Sequence, residues 1–264
     1  MARPRQAATL GWRLVLPLAL VVLWVGLSQV LTSPSAKMML PPPEAVGGAA
    51  AQLALTVHPL FGMPPLLVHA AHSLERLALG YLAAIAVAVP LGIAIGYFRG
   101  ADTYVNFLVQ AMRPISPVAW IPLALAWFGV GITTVVFIVF YGAFFPIVAN
   151  TIAGVRGTSR TYVRAAVASG CGQLRILRRI ILPAALPTIL TGMRVGLGVG
   201  WMSIVAAELV GTQSGLGYLI SEARFHLDIE SVVVGMLAIG VLGVLSDRGM
   251  RWLQTVLVPW QPRA

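Results

Sequence analysis

Long apolar runs, each cut off by arginines, constrain this 264-residue chain more than any other feature of it. A transmembrane helix needs about 20 mainly apolar residues, and an arginine or lysine at its centre costs roughly 2.5–3.5 kcal/mol on insertion scales. Arginines therefore mark where spans end. Six spans are predicted: about 14–31, flanked by Arg3, Arg5 and Arg13; 77–97, between Arg76 and Arg99; 117–130, rich in Trp and Pro; 132–155, after a Gly-containing turn; 195–210; and 232–245. With 58% hydrophobic and 10% charged residues, and a mean hydropathy of +0.88, a soluble fold would have nowhere to place the apolar surplus. The expectation is an all-α integral membrane protein forming one domain over 1–264, with a core at about 66–252. The first run also fits the outline of a signal peptide, with small residues at 33–36, although it is longer than the usual 7 to 15 residues.

A net charge of +10 in a soluble chain would point to nucleic acid or an acidic partner. In a membrane chain the position of the charges carries the information. With the N-terminus inside, fifteen of the 18 Lys and Arg residues fall in inner segments, and only Lys37, Arg76 and Arg224 lie outside. Both termini are therefore predicted to be cytoplasmic, and no nucleic-acid partner is expected. Cys171 is the single cysteine, so no intramolecular disulfide can form. A phosphate-binding loop of the Gly-x4-Gly-Lys-Ser/Thr form needs a lysine, and the one lysine here, Lys37, precedes Met38. The chain is not expected to be an ATPase or another enzyme.

The longest inner loop, 156–183, holds six arginines and no acid. Residues 158–169 lack Gly and Pro and contain good helix formers, with Thr158 or Ser159 able to cap the start. Gly170 and Gly172 permit a sharp turn, residues 173–182 resume a helical pattern, and Pro183 is expected to end it. A helix–turn–helix elbow outside the membrane suits docking into a groove of another protein. Its composition also fits a basic loop that merely obeys the positive-inside rule.

Arg164, Ala165, Ala166, three residues, Gly170, nine residues, then Ile180, Ile181, Leu182 and Pro183 resemble the EAA loop of binding-protein-dependent ABC importer permeases. That pattern reads Glu-Ala-Ala, three residues, Gly, nine residues, Ile-x-Leu-Pro, and the spacing matches at every step. The resemblance extends over roughly 40–251, through 40–46, 73–96, 184–187, 207–211, 214–217 and Asp247–Arg248. It is nearest to the branch moving sulfonates, taurine, nitrate and related small solutes. It implies a type I importer permease fold in the bacterial inner membrane, in which Arg164, Ala165, Ala166, Gly170, Ile180, Leu182 and Pro183 couple to a cytoplasmic ATPase. The same resemblance implies a second permease copy, a solute-binding protein, and ATP and Mg held by the ATPase, with no cofactor in this chain. Arg164 departs from the family's Glu and implies either a matched acid on the ATPase or solvent exposure.

Within the spans, Glu208 is the one carboxylate, a candidate for lining or structuring the translocation path unless it sits at the outer interface. Trp201 is grouped with it as a path or gate candidate, although Trp120, Trp127 and Trp201 also fit packing or interfacial positions. Gly92 with Gly96, and Gly192, Gly196 and Gly200, have helix-packing spacing, for the bundle itself or for a dimer interface. The polar stretch 221–231 reads as a solvated loop or, with 41–46, a docking rim. His69 and His72 share a helix face with Glu75 nearby, but the four histidines are otherwise scattered and no metal site is expected. The rival class is a stand-alone secondary transporter or channel, which would need internal repeats or several buried charges.

Overall fold

A computed structural model of the chain describes residues 6–30, 40–57, 62–98 and 106–260. Arg3, Arg5, Lys37, His58, Arg99, Arg263 and the small residues at 33–36 lie outside them. All regular structure among the described residues is helical: α1 (Gln6–Val30), α2 (Pro43–Leu55), α3 (Pro65–Tyr97), α4 (Phe107–Met112), a 3-10 turn (Pro117–Trp120), α5 (Ile121–Phe128), α6 (Ile132–Arg156), α7 (Arg160–Ala168), α8 (Gln173–Ile176), a π-helical turn (Leu177–Ile181), α9 (Leu182–Gly211), α10 (Leu216–Phe225) and α11 (Ile229–Leu257).

Four of these are long and apolar enough to cross a bilayer: α3, α6, the continuous run Gln173–Gly211, and α11. Two shorter apolar helices, Leu18–Val30 and Pro117–Phe128, coincide with the first and third predicted spans. The third is shorter than the roughly 20 residues that a hydrocarbon core of about 30 Å requires. The second and fifth helices begin well before their predicted starts at 77 and 195, because Arg76 and Arg194 lie inside them instead of at their ends. Both have carboxylate partners. Arg76 pairs with Glu208, and Arg194 meets Asp247, which also accepts from Arg251. An arginine whose charge is already matched loses much of the insertion cost that made it look like a boundary.

By density of internal contacts the chain divides into two units, 69–218 with 238–264, and 1–68 with 219–237. In the larger unit α6 is the most enclosed span: 56% of its apolar window is buried, against 33% for α3. Ile138, Val139, Ile147 and Val148 of α6 pack with Ala84 and Ala88 of α3 and Ile204 and Ala207 of α9, all without exposure. Glycines make this approach possible. A Cβ on Gly92 would lie 2.6 Å from the Thr151 Cβ, and one on Gly96 would lie 2.8 Å from that of Val155. On the other side of α6, a Cβ on Gly192 would lie 2.5 Å from the Asn150 Cβ, and one on Gly196 would lie 2.8 Å from Ile147 Cγ1. These small residues therefore serve packing within the bundle, where close backbone approach replaces a hydrophobic driving force.

In the smaller unit, Trp24 Nε1 donates to the carbonyl of Pro41 at 3.2 Å, just before α2. The end of α10 is a Schellman turn in which Asp228 N–H reaches the carbonyl of Ala223 at 2.9 Å and Leu227 takes φ 58°. Asp228 then caps α11, its Oδ1 accepting from Ser231 N–H at 3.0 Å. The stretch 221–231 is thus a helix–helix corner whose tip, 224–228, is exposed.

Candidate functional site

The elbow forms as the local sequence requires, with two differences. Helix α7 starts at Arg160, and Ser159 stands at its N-cap without a side-chain capping bond. Its C-terminus is a Schellman turn: Cys171 N–H donates to the Ala166 carbonyl and Gly170 N–H to that of Val167, each at 3.0 Å. Gly170 sits at the position of that turn that must be left-handed, with φ +73°, where a side chain would cost about 1–2 kcal/mol. No atom lies within 4 Å of a Cβ built there, so conformation and not space selects glycine.

The second difference is at Pro183. It does not end the second helix of the elbow, since α8 runs through the π-helical turn into α9 as one run, Gln173–Gly211. Pro183 occupies the first turn of α9, where its fixed φ is helical and its missing N–H does least harm. The second limb of the elbow is therefore continuous with a spanning helix.

Of the sequence-predicted elbow residues, Ala166 is buried at 8% exposure among Val155, Ile176, Ile181, Ala185 and Ile189, and Ile180 packs partly against the same cluster. Leu182 and Pro183 are half-buried, whereas Arg164, Ala165 and Gly170 are exposed. Beside the turn lies an open concavity of about 540 Å³ lined by Gly170, Gly172, Gln173, Leu174, Arg175, Arg178 and Arg179.

Toward the other end of the same unit, Glu208 is 1% exposed and held from several sides. Arg76 Nη1 donates to its Oε1 at 2.9 Å, Ser73 Oγ to its Oε2 at 2.8 Å, and Gly217 N–H to Oε2 at 3.0 Å. Arg76 also donates to the Ser214 carbonyl at 2.6 Å, Ser73 Oγ accepts from Leu216 N–H at 2.8 Å, and His69 Nδ1 accepts from Gly215 N–H at 3.1 Å. The turn after α9 is thus folded over the carboxylate and fastened to α3. Gly215 has φ +106°, and a Cβ there would overlap the Glu208 carboxylate. Glu208 is not at a solvated interface.

Sequence reasoning missed Arg76, Ser73 and the turn 214–217 as partners of Glu208. The available signal was that a carboxylate in a span needs a counter-charge, and that Ser73 and Arg76 are three apart on one helix face. The histidine pair does not converge: His72 faces Glu75 at 3.8 Å while His69 meets the turn. Among the described residues no group of three or more His, Cys, Asp or Glu is arranged to hold a metal ion. Trp201 is 7% exposed, and its indole N–H meets no acceptor among the described residues. Trp120 lies 5.1 Å from the Tyr141 ring, in an aromatic layer that includes the exposed Trp127.

The profile of the binding-protein-dependent transport system inner membrane components matches residues 88–259. A putative ABC transporter permease of Methanocaldococcus jannaschii is 40% identical over 94% of this chain and 91% of its own length. The taurine transport system permease of Escherichia coli is 36% identical over 93% of this chain and 87% of its own. A putative aliphatic sulfonates transport permease of Bacillus subtilis is 32% identical over 95% and 88%. In fold, a chain of the inward-facing MetNI methionine ABC transporter superposes with a TM-score of 0.64 at 16% identity, covering 73% of this chain and 96% of that one. The all-helical bundle with its projecting elbow is therefore the type I permease fold, and the chain belongs to the inner membrane components of binding-protein-dependent ABC importers.

Proposed function

We propose that this chain forms, as two copies, the translocation path of an ATP-driven importer for an aliphatic sulfonate, taurine or a related small anion. The solute is delivered by a binding protein, and ATP and Mg are bound by a separate ATPase pair. Similarity to the taurine and aliphatic sulfonate permeases over almost the whole chain supports this solute class. The bicarbonate permease of Synechococcus elongatus, 35% identical over 69% of this chain, keeps other small anions within it.

The observation that carries the mechanism is the unbroken run from the elbow into the bundle. Movement of α7 and the Gly170 turn on the ATPase is passed through Ile180, Leu182 and Pro183 to α9, which packs along α6 by close glycine contacts. At the far end Glu208, tied to Arg76 and Ser73, makes α3, α9 and the 214–217 turn respond together as a gate-forming block, with Trp201 on the same helix near the path. The excess of arginines on one side supports six crossings with the elbow and both termini in the cytoplasm.

Reconstitution tests the proposal. Uptake of labelled taurine into liposomes should require this chain, its ATPase, the binding protein and ATP. Full-rate uptake by this chain alone, without ATP, would instead identify a stand-alone transporter.

A further inference from the structure

We infer that the concavity beside the Gly170 turn receives an acidic segment of the partner ATPase, so that this permease selects ATPase subunits whose elbow-binding cleft is acidic. The inference rests on the coupling reading above and specifies the chemistry of the partner.

Three arginines, Arg175, Arg178 and Arg179, share the wall of the concavity, and all three are exposed. Segment 156–183 contains no acid. None of Arg160, Arg164, Arg175, Arg178 or Arg179 makes an ion pair with a described residue. Like charges three and four residues apart on a helix repel, and an anion from outside the described chain would relieve that repulsion. Leu174 contributes an apolar side chain, 60% exposed, to the same wall. Arginine forks beside an exposed leucine fit carboxylates carried on a protein surface, where bidentate pairs add direction to attraction.

The position of the concavity argues against lipid. The run Gln173–Gly211 has 39 residues, about 58 Å of helix, and the hydrocarbon core takes up about 30 Å of that. With Gly211 at the outer edge of the hydrocarbon and the helix along the membrane normal, Arg175–Arg179 would lie roughly 20 Å past its inner edge, beyond a headgroup layer of about 5–7 Å. Arg164, exposed on α7, adds a further cation to the elbow and fits the same acidic cleft.

The test uses the full chain in lipid nanodiscs and the ATPase subunit that supports ATP-dependent uptake with it. Association is followed by biolayer interferometry at low and high salt. Replacing Arg175, Arg178 and Arg179 together by Glu should slow association at least tenfold at low salt, with the gap closing as salt rises. The matching Gln triple variant, of similar shape, should fall between the two, which separates charge from misfolding. Equal association rates for the wild-type and Glu variants at low salt would overturn the acidic-partner inference while leaving coupling intact. If the ATPase binds the wild type and a variant lacking residues 158–172 equally well, the coupling reading itself falls.

Discussion

With Arg76 at 7% and Glu208 at 1% exposure, removal of either leaves the other as an unmatched charge shielded from bulk solvent. Glu208→Ala or Arg76→Leu should therefore lower stability by about 3–5 kcal/mol, read as a fall in the thermal midpoint of the purified chain. Glu208→Gln, which keeps one acceptor oxygen within reach of both Ser73 and Arg76, should cost less. An unchanged midpoint for Glu208→Ala would contradict the clamp. Gly215→Ala should behave like loss of the acid, since its methyl would displace the carboxylate. Asp228 acts at the same scale. Burial pushes its carboxyl pKa up, but hydrogen bonds from the Ser231 side chain and amide outweigh this and hold it below the usual carboxylate value. A depressed folded pKa means that the stabilisation is present above the unfolded value of about 3.9 and is lost as pH falls through the folded value. At neutral pH, Asp228→Ala should deprotect the Ser231 amide in hydrogen exchange by about 1 kcal/mol. Wild-type protection should fade only in acid.

Helix-to-helix distance in this bundle is set by glycine, so substitutions two residues apart, on opposite faces of α9, should have opposite outcomes. At Gly196 a Cβ would meet Ile147 Cγ1 at 2.8 Å and the Ala143 carbonyl at 3.0 Å, while at Gly198 nothing lies within 4 Å. Gly196→Leu should abolish the folded, detergent-stable chain, and Gly198→Leu should leave its size-exclusion profile unchanged. In the elbow, Ala166 is the small residue around which Ile176 and Ile181 close. Ala166→Trp should therefore uncouple ATP hydrolysis from uptake while the bundle still folds. The elbow's two helices and its glycine turn were legible from the chain because they rest on local rules: helix propensity and the left-handed preference of Gly170. The continuation through Pro183 was not, because a π-helical turn and a first-turn proline leave the same sequence mark as a helix stop.

For the molecule as a whole, alkaline phosphatase fused after α11 should be inactive and a cytoplasmic reporter active at the same place, if fifteen of 18 basic residues stay inside. The reverse pattern would invert the proposed mechanism, because the elbow would then face away from ATP. What the amino-acid sequence determined alone is the membrane class, the approximate position of each apolar helix, and the elbow with its family spacing. Each of these follows from composition, or from residues within a few turns of each other. Tertiary structure decided which charges could enter the membrane and where helices actually begin. Arg76 and Glu208 are 132 positions apart, Arg194 and Asp247 are 53 apart, and only folding brings each arginine to the carboxylate that removes its cost. The same holds for the glycines, whose spacing permits close packing but whose partners on α6 are chosen by the fold.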